Sequence, residues 1–344
     1  MTLHALDVLG DAITATREYR PEGMGQWLWV ALAALLVGSP GISLPTGGGG
    51  TGTGGTGTGT QELPPEARSE LPGQIPQEVL GAVVAVVAVI WILFAVLGAL
   101  LEFPFFVWLR DGEVDTFAEM RAHLGQALGL AAFRILLGAI GFGLVAALLV
   151  ATVGTGGTPF EYLVAAGSLG VVFALVGLPV GVITAFTTAF VVPTMMLEDT
   201  GVIGGWRRFW STLAGAPKQF LVYAVAVAVL AFVGGLAVLI TAVLALIPAL
   251  VVGGILGVVV GVALSSAVGI AVAAVIGGVT FAVVFLAASA LVEVFLRYYA
   301  LFVLAEVDGE LDFAPERRRA VRSGDGGADD TPSSGADDPQ VGPQ

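Results

Sequence analysis

Cysteine and asparagine are absent from this chain, and lysine occurs once, at Lys218. Without cysteine there is no disulfide, thiolate metal site, S-acylation or lipoprotein anchor. Without asparagine there is no N-linked glycan. Charge of either sign is scarce, at 12% of 344 residues, where a soluble domain carries about 25%. Catalytic signatures are missing too: there is no nucleophile elbow, zincin helix or dinucleotide fingerprint. His4 and His123 are far apart and lack metal-ligand spacing, so they read as surface or headgroup residues. Glu198-Asp199 is a loop pair with no base or metal set beside it. No enzyme activity, cofactor or metal is expected.

Apolar residues take the place of charge. They make up 56% of the chain, and mean hydropathy is +0.93. Runs such as 79–101 and 218–247 far exceed the roughly 18 apolar residues that mark a membrane-spanning helix. The sequence therefore predicts an all-α, polytopic helical membrane protein. The net charge is −13, with 27 acidic residues against 14 basic ones. Acidic, lysine-poor exposed segments stay hydrated in strong salt and point to a halophilic archaeon; a GC-rich bacterium is the other source of such a composition.

The basic residues are placed unevenly. Twelve of the 14 lie at or near ends of hydrophobic segments that would face the same side of a membrane. Arg68 falls on the other side, and Arg134 sits within a hydrophobic run. The positive-inside rule makes the arginine-rich side cytoplasmic, with both termini there. Trp27, Trp29, Trp108, Trp206 and Trp210 fall near the same boundaries, as an interfacial aromatic belt would.

Along the chain one unit recurs three times: an amphipathic helix, a span outward, an outer connection and a span back. Unit 1 covers residues 1–110, with an interfacial helix at 3–20, a span at about 26–43, an outer loop at 44–78 and a span at 79–109. Unit 2 covers 111–198, with an interfacial helix at 116–127 and spans at about 128–153 and 163–197. Unit 3 covers 199–305, with an interfacial helix at 201–215 and spans within 218–304. Residues 306–344 read as a disordered acidic tail. The apolar stripes of the three interfacial helices are Leu6, Leu9, Ile13 and Thr16; Phe117, Met120, Leu124 and Ala127; and Ile203, Trp206, Trp210 and Leu213. Each set advances by 3, 4 and 3, which places it on one helical face. Thr116 with Glu119 reads as a capping box, and Thr200 as a second cap. Each returning span closes on acid and glycine: Asp111-Gly112, Asp199-Thr200-Gly201 and Asp308-Gly309.

Some features leave alternatives open. Trp27–Val37 reads as a first span, although its short apolar run also resembles a signal-peptide core. Residues 47–60 contain only Gly and Thr and read as a flexible loop. Segment 218–304 crosses an even number of times. Two long helices with a re-entrant or outer-lying hairpin between them give six spans in all; four short crossings give eight.

Four charges fall within apolar runs: Glu102, Arg134, Glu293 and Arg297. Charges in spans are costly, about 2.5–3.5 kcal/mol each on insertion scales, and usually pair inside the bundle. Glu293 and Arg297 are spaced to meet on one helix face, which leaves Arg134 as the partner of Glu102. Such pairs either fix helix register or line a polar path. A second pattern is a ladder of small residues: Ala249, Gly253, Gly257, Gly261, Ser265, Gly269, Ala273 and Gly277. It marks a tight intramolecular crossing, a homodimer face or a pore lining.

Val192-Pro193-Thr194-Met195-Met196-Leu197-Glu198-Asp199-Thr200-Gly201-Val202, then Trp206-Arg207-Arg208-Phe209-Trp210, resembles the repeated pattern of the membrane domain found with some glycerophosphodiester phosphodiesterases. The opening Leu3-His4-Ala5-Leu6-Asp7, with Asp11-Ala12-Ile13, is similar to an uncharacterised haloarchaeal multi-pass membrane family. The likeness implies architecture for most of residues 1–305. It implies no activity, since the phosphodiesterase's soluble catalytic domain has no counterpart here. The expected role is a non-enzymatic organiser of lipids or protein partners in the cell membrane. A transporter or channel using the four buried charges is the alternative. Expected partners are membrane lipids, a second copy or another membrane protein, and no nucleic acid.

Overall fold

The computed structural model describes residues 8–18, 21, 23–37 and 77–325, and all regular structure among them is helical. In chain order these are α1 (Leu9–Glu18), α2 (Met24–Val37), α3 (Gln77–Asp111), α4 (Thr116–Ala122), α5 (Leu124–Val153), α6 (Pro159–Ser168) and α7 (Gly170–Phe186). A π-helical turn (Thr187–Val191) leads into α8 (Val192–Leu197), followed by α9 (Val202–Gly215), α10 (Pro217–Ala263) and α11 (Ser266–Val307). A 3-10 turn (Gly309–Leu311) and α12 (Pro315–Asp325) close the order. The Gly/Thr run, Leu6, His4, Arg68 and the end of the first expected span lie outside the described residues.

Five stretches are long and apolar enough to cross a membrane: Ala85–Asp111, Leu124–Val153, Gly170–Leu197, Pro217–Ala263 and Ser266–Val307. Helix α2 is apolar but has only 14 residues. Segment 218–304 forms two long helices joined by a tight turn at Leu264-Ser265, not four short ones.

The buried core collects at one end of these helices, the end that carries the charged connections. Phe103, Phe105, Phe106, Phe190, Phe209, Phe220, Tyr298, Tyr299 and Phe302 are fully enclosed there. Phe190 is its centre, stacked on Phe209 at 5.1 Å, edge-on to Phe220 at 5.2 Å and to Tyr223 at 4.7 Å. Toward the other end the helices show their apolar side chains on the outside, as at Leu136, Ile140 and Phe142 of α5. Helices α10 and α11 are the exception and remain packed on each other along their lengths.

Several expectations change. The stripes drawn for the amphipathic helices are split between two sides: Ile13, Phe117, Leu124, Ile203 and Trp210 are exposed, whereas Ala127 is buried and Leu9, Trp206 and Leu213 pack against the core. The fully buried positions are offset by a residue, with Val8 just before α1, Ala12 and Ala15 on it, and Val202, Gly205, Phe209 and Thr212 on α9. Helices α1 and α9 carry apolar residues on both sides, and periodicity cannot say which side meets protein. The tryptophans do not form a simple belt. Trp108 is buried against Trp29 at 6.0 Å, and Trp206 donates its indole N–H to Thr187 Oγ1 at 3.1 Å.

Helix α4 is capped by Asp115, whose carboxylate accepts the Ala118 amide at 3.1 Å, rather than by Thr116 with Glu119. Aspartate one position earlier supplies the oxygen that the first-turn amides need. Thr200 gives α9 no cap either, because Gly201 holds that position. The capping box among the described residues that sequence reading missed is Thr158 with Glu161, at the start of α6.

The disordered-tail assignment of 306–344 is also corrected as far as Asp325. The anchors are apolar, with Leu311, Phe313, Ala314 and Val321 buried. Arg317 donates to the carbonyl of Arg110 at 2.8 Å, and Arg322 to Asp11 at 2.9 Å. Phe313 packs edge-on against Phe106 at 5.9 Å. The arginine cluster thus ties α12 to the ends of α1 and α3.

Candidate functional site

The four charges in apolar runs come together. Glu102 is fully buried on α3, Arg134 on α5 is mostly buried, and Glu293 and Arg297 on α11 are buried. Arg297 Nε donates to Glu293 Oε1 at 2.8 Å, the contact that an i, i+4 spacing permits. Arg134 Nη2 sits 2.5 Å from Glu102 Oε2. Arg297 Nη1 then lies 3.6 Å from Glu102 Oε1, which joins the two pairs into one group of zero net charge. The Arg297 guanidinium also lies over the Phe106 ring, 5.3 Å from its centroid.

Thr188 is the residue that sequence reading missed. Its Oγ1 accepts from Arg134 Nη2 at 2.7 Å, and its carbonyl accepts from Arg297 Nη1 at 2.8 Å. The carbonyl is available for a backbone reason. In the π turn the amide of Val192 closes on Thr187 instead of Thr188. The next amide in that register would come from residue 193, which is proline and has no N–H. A buried carbonyl left without a donor is costly, and Arg297 supplies one. The π turn and Pro193 together thus make a socket for an arginine. The signal in the sequence was Pro193 itself, five residues after Thr188.

Besides the Glu102 oxygens, whose contacts are ion pairs alone, three buried polar atoms of α11 have no hydrogen-bond partner among the described residues: Ser289 Oγ, Glu293 Oε2 and Arg297 Nη2. They belong to one face of α11, since 289, 293 and 297 are each four apart.

A second charged group closes the same end of the bundle. Arg208 on α9 meets Asp308 at 3.0 Å, Glu310 at 3.1 Å and Glu198 at 3.3 Å, and Thr212 donates to Asp308 at 2.7 Å. Partial burial alone would raise the Asp308 pKa, but the hydrogen bonds from Thr212 and Arg208 hold it below the ordinary carboxylate range. Two of the three span endings use a left-handed backbone: Gly112 at φ +83° and Asp199 at φ +46°. Asp199 is held there by Gln126, whose Nε2 donates to its carboxylate at 3.1 Å. His123 stacks on Phe103 at 5.3 Å and faces Glu119. No group of three or more potential metal ligands occurs among the described residues.

The small-residue ladder is divided by the Leu264-Ser265 turn. Ala249, Gly253, Gly257 and Gly261 lie on α10; Gly269, Ala273 and Gly277 lie on α11; Ser265 caps α11 by accepting the Val268 amide at 3.3 Å. The two halves face each other across the hairpin. A Cβ on Gly257 would stand 2.6 Å from the carbonyl oxygen of Gly269, and one on Gly253 would stand 3.2 Å from that of Ala273. The backbones approach this closely because no side chain intervenes. Of the three meanings the sequence left open, the tight intramolecular crossing describes what these residues do within the chain.

Comparison with known proteins gives a family and no activity. No curated protein matches the chain, and no solved structure does. The match that exists covers residues 3–314, and by it the chain belongs to the family of unknown function DUF7544.

Proposed function

We propose that this chain is a non-enzymatic integral protein of the cell membrane that organises lipids or protein partners at the cytoplasmic face. In this reading the first span expected at about 26–43 and the five long helices make six crossings, with both termini cytoplasmic. They fall into three units, each opening with an interfacial helix, on an architecture similar to the membrane domains found with some glycerophosphodiester phosphodiesterases. The acidic, lysine-poor composition supports a halophilic archaeon as the source.

One observation carries the functional part: the four charges inside the apolar helices neutralise one another and hold three helices together. A transport site needs charge left over for a solute; a lock does not. Helices α1, α4 and α9 add support. Helices α1 and α9 pack one face on the bundle, and all three show apolar side chains outward, at Ile13, Phe117, Ile203 and Trp210. Such a two-faced helix suits the headgroup boundary.

A transporter or channel is the second reading. It is favoured by the partnerless polar atoms of Ser289, Glu293 and Arg297, which give one face of α11 unused hydrogen-bonding capacity. Reconstitution separates the two. Purified protein in liposomes is expected to pass ions and small solutes no faster than empty liposomes. Flux that Glu102→Gln abolishes, in protein that still purifies folded, would replace the organiser with the transporter.

A further inference from the structure

The α10–α11 hairpin is too long for the bundle it belongs to. Helix α10 has 47 residues and α11 has 42, against 30 in α5. At 1.5 Å per residue, α10 is about 70 Å long and α5 about 45 Å. Bilayer hydrocarbon is about 30 Å thick, and about 40–45 Å with the headgroups. Helix α5 therefore suits a crossing, while the hairpin overshoots it by about 25 Å.

The overshoot has the chemistry of a buried segment. No charged residue occurs between Lys218 and Glu293, and no Trp or Tyr between Tyr223 and Tyr298. The tip, Gly261–Val268, offers water only the two hydroxyls of Ser265 and Ser266. The α5–α6 turn, at the same end of the bundle, presents Thr155, Thr158, Glu161 and Tyr162. Along the arm Val251, Val252, Ile255, Val258, Val259, Val262, and across the turn Ile270, are all more than half exposed. Standing upright, this arm would put a sleeve of valine and isoleucine into water.

Both helices weaken where the overshoot begins. Pro248 lies inside α10, where it removes a helical hydrogen bond and favours a kink. At the same level of α11 stands Gly277, where a Cβ would touch Leu246 and Leu250 at 3.5 and 3.4 Å, followed by Gly278. Two adjacent glycines hold a helix only weakly.

We infer that the arm beyond Pro248 and Gly277-Gly278 lies down in the membrane leaflet opposite the charged end, with lipid acyl chains as its partner. The inference rests on the membrane reading above. Its glycine seam keeps the arm thin enough for one leaflet, and its outward Val and Ile side chains face lipid all round.

The absence of cysteine allows a direct test, in which one introduced cysteine at a time carries an environment-sensitive fluorophore. The positions are Ser266→Cys at the tip, Ile140→Cys midway along α5, and Thr155→Cys in the α5–α6 turn. The protein is reconstituted in phosphatidylcholine vesicles and quenched by nitroxide-labelled acyl chains or by iodide in the water. The tip and Ile140 are expected to be quenched several-fold more by lipid nitroxide than by iodide, and Thr155 the reverse. A tip quenched by iodide, with Ile140 still in lipid, overturns the inference and leaves the membrane reading intact. Iodide quenching at Ile140 overturns the membrane reading itself. A tip shielded from both quenchers means that a second copy covers the arm, which also overturns the inference. Pro248→Ala with Gly278→Ala should straighten the arm and shift the tip several-fold toward iodide; no shift would deny the hinge.

Discussion

Glu102→Gln is expected to destabilise the folded protein by about 3–5 kcal/mol, the usual cost of leaving a buried charge without its counter-ion. Glu102 stands between two guanidiniums, 2.5 Å from Arg134 and 3.6 Å from Arg297. Its loss leaves two guanidiniums against one carboxylate, with Arg297 still on Glu293 and Arg134 keeping only the hydroxyl of Thr188. Arg134→Gln leaves the opposite imbalance. The double variant restores neutrality and puts two amides within reach of each other, so most of the loss should return. Expression level and thermal denaturation of the purified single and double variants measure this. Additive losses in the double variant would mean that the pair does not act as a unit.

Gly269→Ala is expected to be the most damaging of the glycine substitutions in the hairpin, although it adds one methyl group. That methyl would collide with the carbonyl oxygen of Gly257 and lie 2.8 Å from Gly261 Cα. Both obstacles are backbone, so no side chain can move to make room and the helices must separate. Forced overpacking costs about 1–3 kcal/mol, and separation also opens the contacts at Gly253 and Gly257. Gly254→Ala is the control, because nothing lies within 4 Å of its added methyl and alanine is the better helix former. Denaturation of the two variants in detergent should differ clearly, with Gly254→Ala at or above the parent protein. Equal behaviour would mean that the hairpin is not closed at the seam.

The sequence made some of this legible and concealed the rest for identifiable reasons. Glu293 and Arg297 were readable from spacing alone, because two residues four apart on a helix meet whatever else the chain does. Glu102 and Arg134 were paired by elimination, which works when few charges are available. The union of both pairs at Thr188 was not readable. It depends on a π turn whose register must be known before a freed carbonyl can be assigned. The ladder was visible as a fourfold period, but its meaning depended on a turn at Ser265 that keeps the period in phase. The stripe is two half-stripes facing each other across that turn. The tail failed for a compositional reason. Residues 315–325 look too charged to fold, but Arg317, Arg318 and Arg322 find partners at Arg110, Asp312 and Asp11. On the amphipathic helices the apolar stripe mixes exposed residues such as Ile203 and Trp210 with core-packed ones such as Leu9 and Leu213. The fully buried positions are mostly small, Ala12, Ala15, Val202, Gly205 and Thr212 beside Phe209, and give a weaker signal.

The most direct measurement of the central claim is two-sided cysteine labelling in intact cells with a membrane-impermeant maleimide. The positions are Thr155→Cys in the α5–α6 turn, Glu113→Cys between α3 and α4, and Ser211→Cys on α9. A six-crossing protein with its charged end inside predicts labelling of Thr155→Cys alone, and of the other two only after permeabilisation. Labelling of Glu113→Cys or Ser211→Cys in intact cells, or protection of Thr155→Cys, would contradict the account.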